Sequence, residues 1–216
     1  MVIQKKDFIE IEYTGKIKED AIVFDTTDEK IAKDNDIHNE EVAYGPVVLC
    51  VGEGQVLAGL DKALEGKEVS KDYTVELNAE EAFGKKDAKL IQLIQTSKFL
   101  KQNIQPVPGL QVNIDGVMGL IKTVSGGRTL VDFNHPLSGK DIIYTFKVNK
   151  LVTDDTEKLK GYLKLQLGVK EIDVKIENNE AKVELKKEIP DEAKKKIEEN
   201  VKELIVGVNK LDIIQK

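Results

Sequence analysis

Few residues in this chain could carry covalent chemistry. Its two histidines, His38 and His135, lie far apart, one in a polar stretch and one in a turn before Pro136. Ser-His-Asp hydrolysis needs an imidazole held against a nucleophile, and neither has that setting. The sole cysteine, Cys50, sits inside the apolar run Val47-Val48-Leu49-Cys50-Val51, where a thiol is buried and inert. Gly52-Glu53-Gly54 is not followed by the Lys-Ser/Thr of a phosphate loop, so it reads as a tight turn before a short helix. Two histidines and one cysteine do not make a zinc cluster, although carboxylate-only metal sites stay open. What remains is apolar and aromatic: Tyr13, Phe24, Val47, Val56, Leu57, Leu60, Phe83 and Tyr144, with one carboxylate, Asp25, directly after Phe24. Such a set can line a pocket for an apolar group without making or breaking a bond. By spacing alone it describes a hydrophobic core equally well.

The elements that would position these residues follow from periodicity. Phe8 to Ile17 alternates, with Ile9, Ile11 and Tyr13 on one face of a strand. A strand at Ala21–Asp25 follows, then a polar stretch over 28–41 with one helical turn. Pro46–Val51 reads as a buried strand. Val56, Leu57, Leu60, Ala63 and Leu64 have helical spacing, closed by Gly66. Tyr73–Leu77 alternates again. Residues 88–139 read as a separate unit: a strand at Leu90–Ile94, a short helix capped by Thr96, and hairpins turning at Asp115-Gly116 and Gly126-Gly127. Asp141–Lys150 is a further alternating strand that can pair with those before residue 80, which makes 88–139 an insertion. The 5 Tyr and 6 Phe all precede residue 151 except Tyr162, so the chain changes character at the polar stretch 152–156, which reads as a linker. Beyond it the order is helix, hairpin turning at Asn178-Asn179, helix from Pro190 to Gly207, and strand.

Charge and composition limit the classes of function. With 33 basic against 39 acidic residues and a net charge of −6, the surface is not that of a phosphate-backbone binder. No apolar run approaches the ~20 residues of a membrane-spanning helix, and Met1–Asp7 lacks the apolar core of a signal peptide. A single cysteine forms no internal disulfide and fits a reducing compartment. A cytoplasmic protein with no nucleic-acid or membrane partner is expected.

Several motifs in register then carry a resemblance. Tyr13-Thr14-Gly15, Phe24-Asp25-Thr26, the run Val51 to Leu60 and Ala82-Phe83-Gly84 resemble the FKBP-type peptidyl-prolyl isomerases over residues 7–84, and Tyr144 matches on the returning strand. The stretch Val131 to Lys140, with Asn134-His135-Pro136 at its centre, resembles the SlyD-like branch, which carries an insert-in-flap chaperone domain. The sixty-residue tail is similar in position and length to that of long archaeal members.

The resemblance implies an α+β fold: an FKBP-like antiparallel half-barrel around a short helix (1–87 and 140–152), an inserted small β-rich chaperone domain (88–139) and a C-terminal αββαβ domain (153–216). It implies catalysis by Tyr13, Phe24, Asp25 and Tyr144, with substrate held by Val47, Val56, Leu57, Leu60 and Phe83. Leu60 stands where many members have tryptophan and Val47 where many have phenylalanine; Phe83 lacks the hydroxyl that a tyrosine there offers the ligand. No cofactor or metal is implied, since rotating an X–Pro amide over its ~18–20 kcal/mol barrier needs no covalent step. The partners implied are unfolded or proline-containing polypeptides. In the insert, Leu93, Ile94, Phe99, Leu100, Met118 and Leu120 are the candidate chaperone surface, with Met118 suited to promiscuous contact. The tail is expected to be a dimerisation module, giving a homodimer, with a second substrate surface or a docking site as the alternatives. The alternative to an isomerase with chaperone activity is a holdase with little turnover, motivated by Val47, Leu60 and Phe83.

Overall fold

The computed structural model describes residues 1–185 and 188–215. Its strands and helices run in the order β1 (Phe8–Ile17), β2 (Val23–Thr26), α1 (Glu29–Asp34), β3 (Val47–Cys50), α2 (Ala58–Leu64), β4 (Asp72–Leu77), β5 (Ile91–Gln95), α3 (Thr96–Lys101), β6 (Gln111–Ile114), β7 (Val117–Ser125), β8 (Arg128–Asp132), β9 (Ile142–Leu151), α4 (Asp155–Leu167), β10 (Asp173–Glu177), β11 (Glu180–Leu185), α5 (Asp191–Leu204) and β12 (Lys210–Gln215). This is a mixed α/β chain with antiparallel sheets and a few short helices. It divides into two compact units, Met1–Leu77 with Asp141–Lys216, and Asn78–Lys140.

In the first unit β1 is the organising strand. Ile9, Ile11 and Ile17 are buried while Glu12 and Lys16 are exposed, the period-two pattern of a strand with one covered face; Phe8, on the other face, is buried in a separate cluster with residues of the tail. Its full length pairs antiparallel with β9, from Ile9↔Leu151 to Ile17↔Ile142, and β9 pairs in turn with β4. The opposite edge of β1 is shared. Its first half takes β3, with Ile11 opposite Val47, and its second half takes β2, with Thr14 opposite Thr26. The helix expected from Val56 begins at Ala58, with Leu57 extended at its cap position.

The tail forms the expected αββαβ order, its sheet running β10-β11-β12 with β11 and β12 parallel. Two local expectations are corrected. The polar residues around 153–156 are the start of α4, whose cap is Asp154, its carboxylate accepting from the Glu157 N–H at 2.8 Å. Helix α5 stops at Leu204, three residues before Gly207. One apolar cluster spans this stretch: Phe8, Cys50 and Val152 pack with Leu159, Tyr162 and Leu163 of α4 and with Ile197 and Val201 of α5.

The second unit is a four-stranded sheet in the order β5-β8-β7-β6, with both hairpins turning where the glycines placed them. Its core is Phe99, Val112, Ile121 and Val131. Thr96 does not cap α3: Gln95 holds that position, and the Thr96 hydroxyl pairs with that of Thr129 at 3.1 Å. Among the described residues no helix is long and apolar enough to cross a membrane.

Close approach of α4 to β3 depends on Gly161. A Cβ there would lie 2.5 Å from the Val48 Cβ and 2.9 Å from its carbonyl oxygen. Gly161→Val is therefore expected to destabilise the chain by about 2 kcal/mol, the usual penalty of overpacking. Urea unfolding checks this as a lowered midpoint at unchanged slope.

Candidate active site

Three neighbouring strands build the site, and a gap in the middle one makes it possible. Gly15 of β1 stands opposite Asp25 of β2 on one side and Tyr144 of β9 on the other. Adjacent strands lie ~4.8 Å apart, so Asp25 and Tyr144 are two strands distant. Tyr144 closes that distance by lying across Gly15, where a Cβ would meet the Tyr144 ring at 2.8 Å and the Phe24 ring at 2.8 Å. No side chain fits beneath these rings.

A register shift solves a second problem. Consecutive strand residues normally face opposite sides of a sheet, yet Phe24 and Asp25 both address Tyr144. Pairing jumps from Gly15↔Asp25 to Lys16↔Val23, leaving Phe24 as the extra residue of a bulge, and bulges re-aim side chains in this way. The Phe24 ring meets Tyr144 edge-on, with centroids 5.8 Å apart at 82°. Tyr13, two residues before Gly15 on the same face, meets Tyr144 at 5.7 Å and 73°. Thr14, Thr26 and Thr27 fasten the end of β2: the Thr14 and Thr26 hydroxyls lie 2.8 Å apart, and the Thr27 hydroxyl accepts from the Tyr13 N–H at 2.9 Å.

Asp25 is the carboxylate at this junction. The Tyr144 hydroxyl donates to it at 3.5 Å, and the Tyr13 hydroxyl donates to it as well. Burial raises its carboxyl above the ordinary aspartate value, and the two hydroxyls and the Thr26 N–H only partly offset that rise. Burial, followed by the Asp25 charge, pushes both tyrosines far above their ordinary value. Both therefore remain protonated donors at neutral pH. The arrangement can hold an apolar ring against aromatic walls beside a buried carboxyl group held by two tyrosine hydroxyls.

The other expected residues are placed as follows. Val47 is half-buried on β3, opposite Ile11 and two residues along β1 from Tyr13. Leu60 is buried on α2, while Val56 and Leu57 are half-buried at its start. Asp61, unforeseen in the sequence, sets that start: its buried carboxylate accepts from the N–H groups of Gly52 and Gly54, both at 2.8 Å. Phe83 belongs to the second unit, where it stacks on His135 with centroids 4.7 Å apart, and its carbonyl accepts from the Ser138 hydroxyl at 3.1 Å. Cys50 is buried as expected, its thiol pushed by burial to about 12.

In the second unit Leu93, Leu100 and Met118 are exposed, by 63%, 53% and 55%. Phe99 is a correction, being 3% exposed and part of the core. Ile94 packs against that core, and Leu120 is half-buried. Burial takes one face of the short helix α3, and Phe99 lies on it while Leu100 does not. Gly15 is the functional position that spacing arguments missed. It stands in Tyr13-Thr14-Gly15, but a residue without a side chain gives no periodic signal.

Comparison with known proteins places the chain among isomerases. The family described as FKBP-type peptidyl-prolyl cis-trans isomerase matches residues 2–105, and that described as FKBP26, IF domain matches residues 92–137. The chain is 32% identical over 156 residues to the short-type peptidyl-prolyl cis-trans isomerase of Methanocaldococcus jannaschii, covering 72% of this chain and 98% of that protein. It is 31% identical over 108 residues to a probable FKBP-type 16 kDa peptidyl-prolyl cis-trans isomerase of Pseudomonas fluorescens (48% of this chain, 71% of the relative). To the FKBP-type isomerase SlyD of Haemophilus influenzae it is 30% identical over 124 residues (54% and 63%).

A raised Asp25 carboxyl makes its ionised form costly to the fold. The folded state binds the proton more tightly than the unfolded chain, so this group favours folding most at acid pH. Its contribution declines as pH rises from the ordinary aspartate value through the raised one. Asp25→Asn is therefore expected to be more stable than wild type at pH 7, with the gain shrinking toward pH 3 to 4. Thermal unfolding of both chains across that range checks it; a variant less stable at pH 7 would contradict the assignment.

Proposed function

The chain belongs to the FKBP-type peptidyl-prolyl cis-trans isomerase family, and from that premise we propose that it turns over X–Pro bonds of unfolded polypeptides by desolvating and twisting the amide against Tyr13, Phe24 and Tyr144. The cluster of three aromatic rings around one tyrosine-bonded carboxylate supports this reading most directly. A planar amide is charge-separated and well solvated by water. Twisting removes much of that separation, so an apolar wall favours the twisted form over the planar one. A thousandfold acceleration needs only about 4 kcal/mol, within reach of desolvation and fit.

Roles follow for each residue. The rings of Phe24 and Tyr144 grip the pyrrolidine. Tyr13 and Tyr144, held as donors, fix the Asp25 carboxylate, which keeps the rings oriented rather than exchanging a proton with substrate. Val47, Val56, Leu57 and Leu60 supply further apolar wall, and the Leu57 main-chain amide contacts the ligand. Neither a cofactor nor a metal has a part in this step.

The second unit adds chaperone capture. Leu93, Leu100 and Met118 bind unfolded chains loosely, which raises the effective concentration of their prolines at the isomerase site. Residues 153–216 make the homodimer, and light scattering on the full chain reads it directly: a monomer mass discards that assignment.

Two substrates separate capture from turnover. Phe24→Ala with Asp25→Ala is expected to abolish exchange of an X–Pro tetrapeptide, followed by NMR. Replacing Leu93, Leu100 and Met118 by Gln is expected to leave that exchange within about twofold while slowing a proline-limited protein refolding by about tenfold. Equal losses on both substrates would remove the capture role.

A further inference from the structure

A second concavity lies on the first unit, beside Val47. Residues 41–48 and α4 border a cleft of about 370 Å³. Val42, Val47, Leu165 and Val169 give it an apolar lining, with Tyr44 and Pro46 beside them. Val42 is 47% exposed, and Val47 and Leu165 are half-buried. Leu165 is unusual for its helix. Leu159, Tyr162 and Leu163 point α4 into the shared core, whereas Leu165 lies on the flank of that face beyond Tyr162, one turn on from Gly161 and roughly 120° or more round the helix from Leu159 and Leu163. Gly161 lets β3 approach that second face closely, and Gly45, at φ +109°, turns the chain before Pro46.

The rim has a definite charge. Lys160, Lys164 and Lys170 border the cleft, and none forms an ion pair to a carboxylate among the described residues. Two carboxylates also border it. Glu157 is already bonded to Lys150 at 2.6 Å, and Glu41 is exposed. A local positive excess therefore stands over an apolar floor, on a chain whose net charge is −6. That combination matches an aliphatic side chain next to carboxylates.

The cleft is also tied to the candidate active site. The Gly45 N–H donates to the Thr27 carbonyl at 2.7 Å, and the Thr27 N–H donates to the Tyr13 carbonyl at 3.0 Å. Val47 borders the cleft and pairs with Ile11 of the strand that carries Tyr13.

Resting on the isomerase reading above, we propose that the cleft between residues 41–48 and α4 is a specificity subsite that holds an aliphatic, acidic stretch of the same substrate polypeptide. The subsite selects clients by what flanks the proline. It acts on binding and leaves the rotation step alone.

The test uses the full-length chain and peptides sharing one X–Pro core: the bare tetrapeptide, a Leu-Glu-Glu extension and a Leu-Lys-Lys extension. Exchange is followed by NMR at low salt. Wild type is expected to show a KM about fivefold lower for the glutamate extension than for the lysine extension, with equal kcat. The preference fades as salt screens the lysines. Replacing Lys160, Lys164 and Lys170 by Gln removes it while leaving the tetrapeptide rate unchanged, and Leu165→Trp, which fills the cleft, weakens both extended peptides alike. Equal KM values for the two extensions in wild type overturn the proposal. Failure of the isomerase reading shows separately, as absent exchange of the tetrapeptide. In that event fluorescence anisotropy of a labelled, proline-free Leu-Glu-Glu peptide decides the cleft: binding weakened about fivefold in the lysine variant upholds it, and equal binding by both chains overturns it.

Discussion

The close passage of Tyr144 over Gly15 is the constraint on which the rest of the site depends. A side chain at position 15 would occupy the space of both the Tyr144 and Phe24 rings. Without it, a residue on β9 reaches across β1 to a carboxylate on β2. The bulge at Phe24 completes the arrangement by aiming two consecutive residues at one point. Three strands thus converge on a single spot through main-chain register, so the site is as rigid as the sheet that carries it.

That rigidity holds Asp25 where the fold alone would not favour it. Burial penalises its charged form, and hydrogen bonds from Tyr13, Tyr144 and the Thr26 N–H only partly offset the penalty. An apolar residue of similar size would pack there without a desolvation cost. A carboxylate kept against that cost supports the functional role proposed for it. Asp61 makes the contrast. It is also buried, but two backbone N–H groups satisfy it, and it fixes the turn that leads into α2.

The sequence was legible where periodicity and turn chemistry agree. The alternation of β1 and β9, the glycine-centred hairpins of the second unit and the αββαβ order of the tail are all present. Alternation could not reveal the bulge, because an inserted residue breaks the period on which the reading rests. It could not rank Phe99 against Leu100 either: six residues of helix are too few to define a face, and Phe99 fills the core while Leu100 stays exposed. The polar stretch around 153–156 looked like a linker for a related reason. Acidic residues serve equally in linkers and at helix starts, and here Asp154 caps α4. Gly15 was visible only through a motif, since nothing in its own chemistry signals a ring packed over it.

The change in composition near residue 152 marks a change in aromatic content, and packing runs straight across it. Val152 is buried with Phe8 and Cys50 on one side and Leu159 on the other. Val48 of β3 packs against that same cluster and meets α4 at Gly161. Strand β3 in turn pairs with the half of β1 that leads to Tyr13. The position of residues 41–47, and of Val47 among them, is therefore set from two directions: by hydrogen bonding to β1 and by packing against α4. The tail is thus joined to the aromatic cluster along two paths: through Val48 and β3 to the strand that carries Tyr13, and directly along the chain, since α4 follows β9, the strand that carries Tyr144.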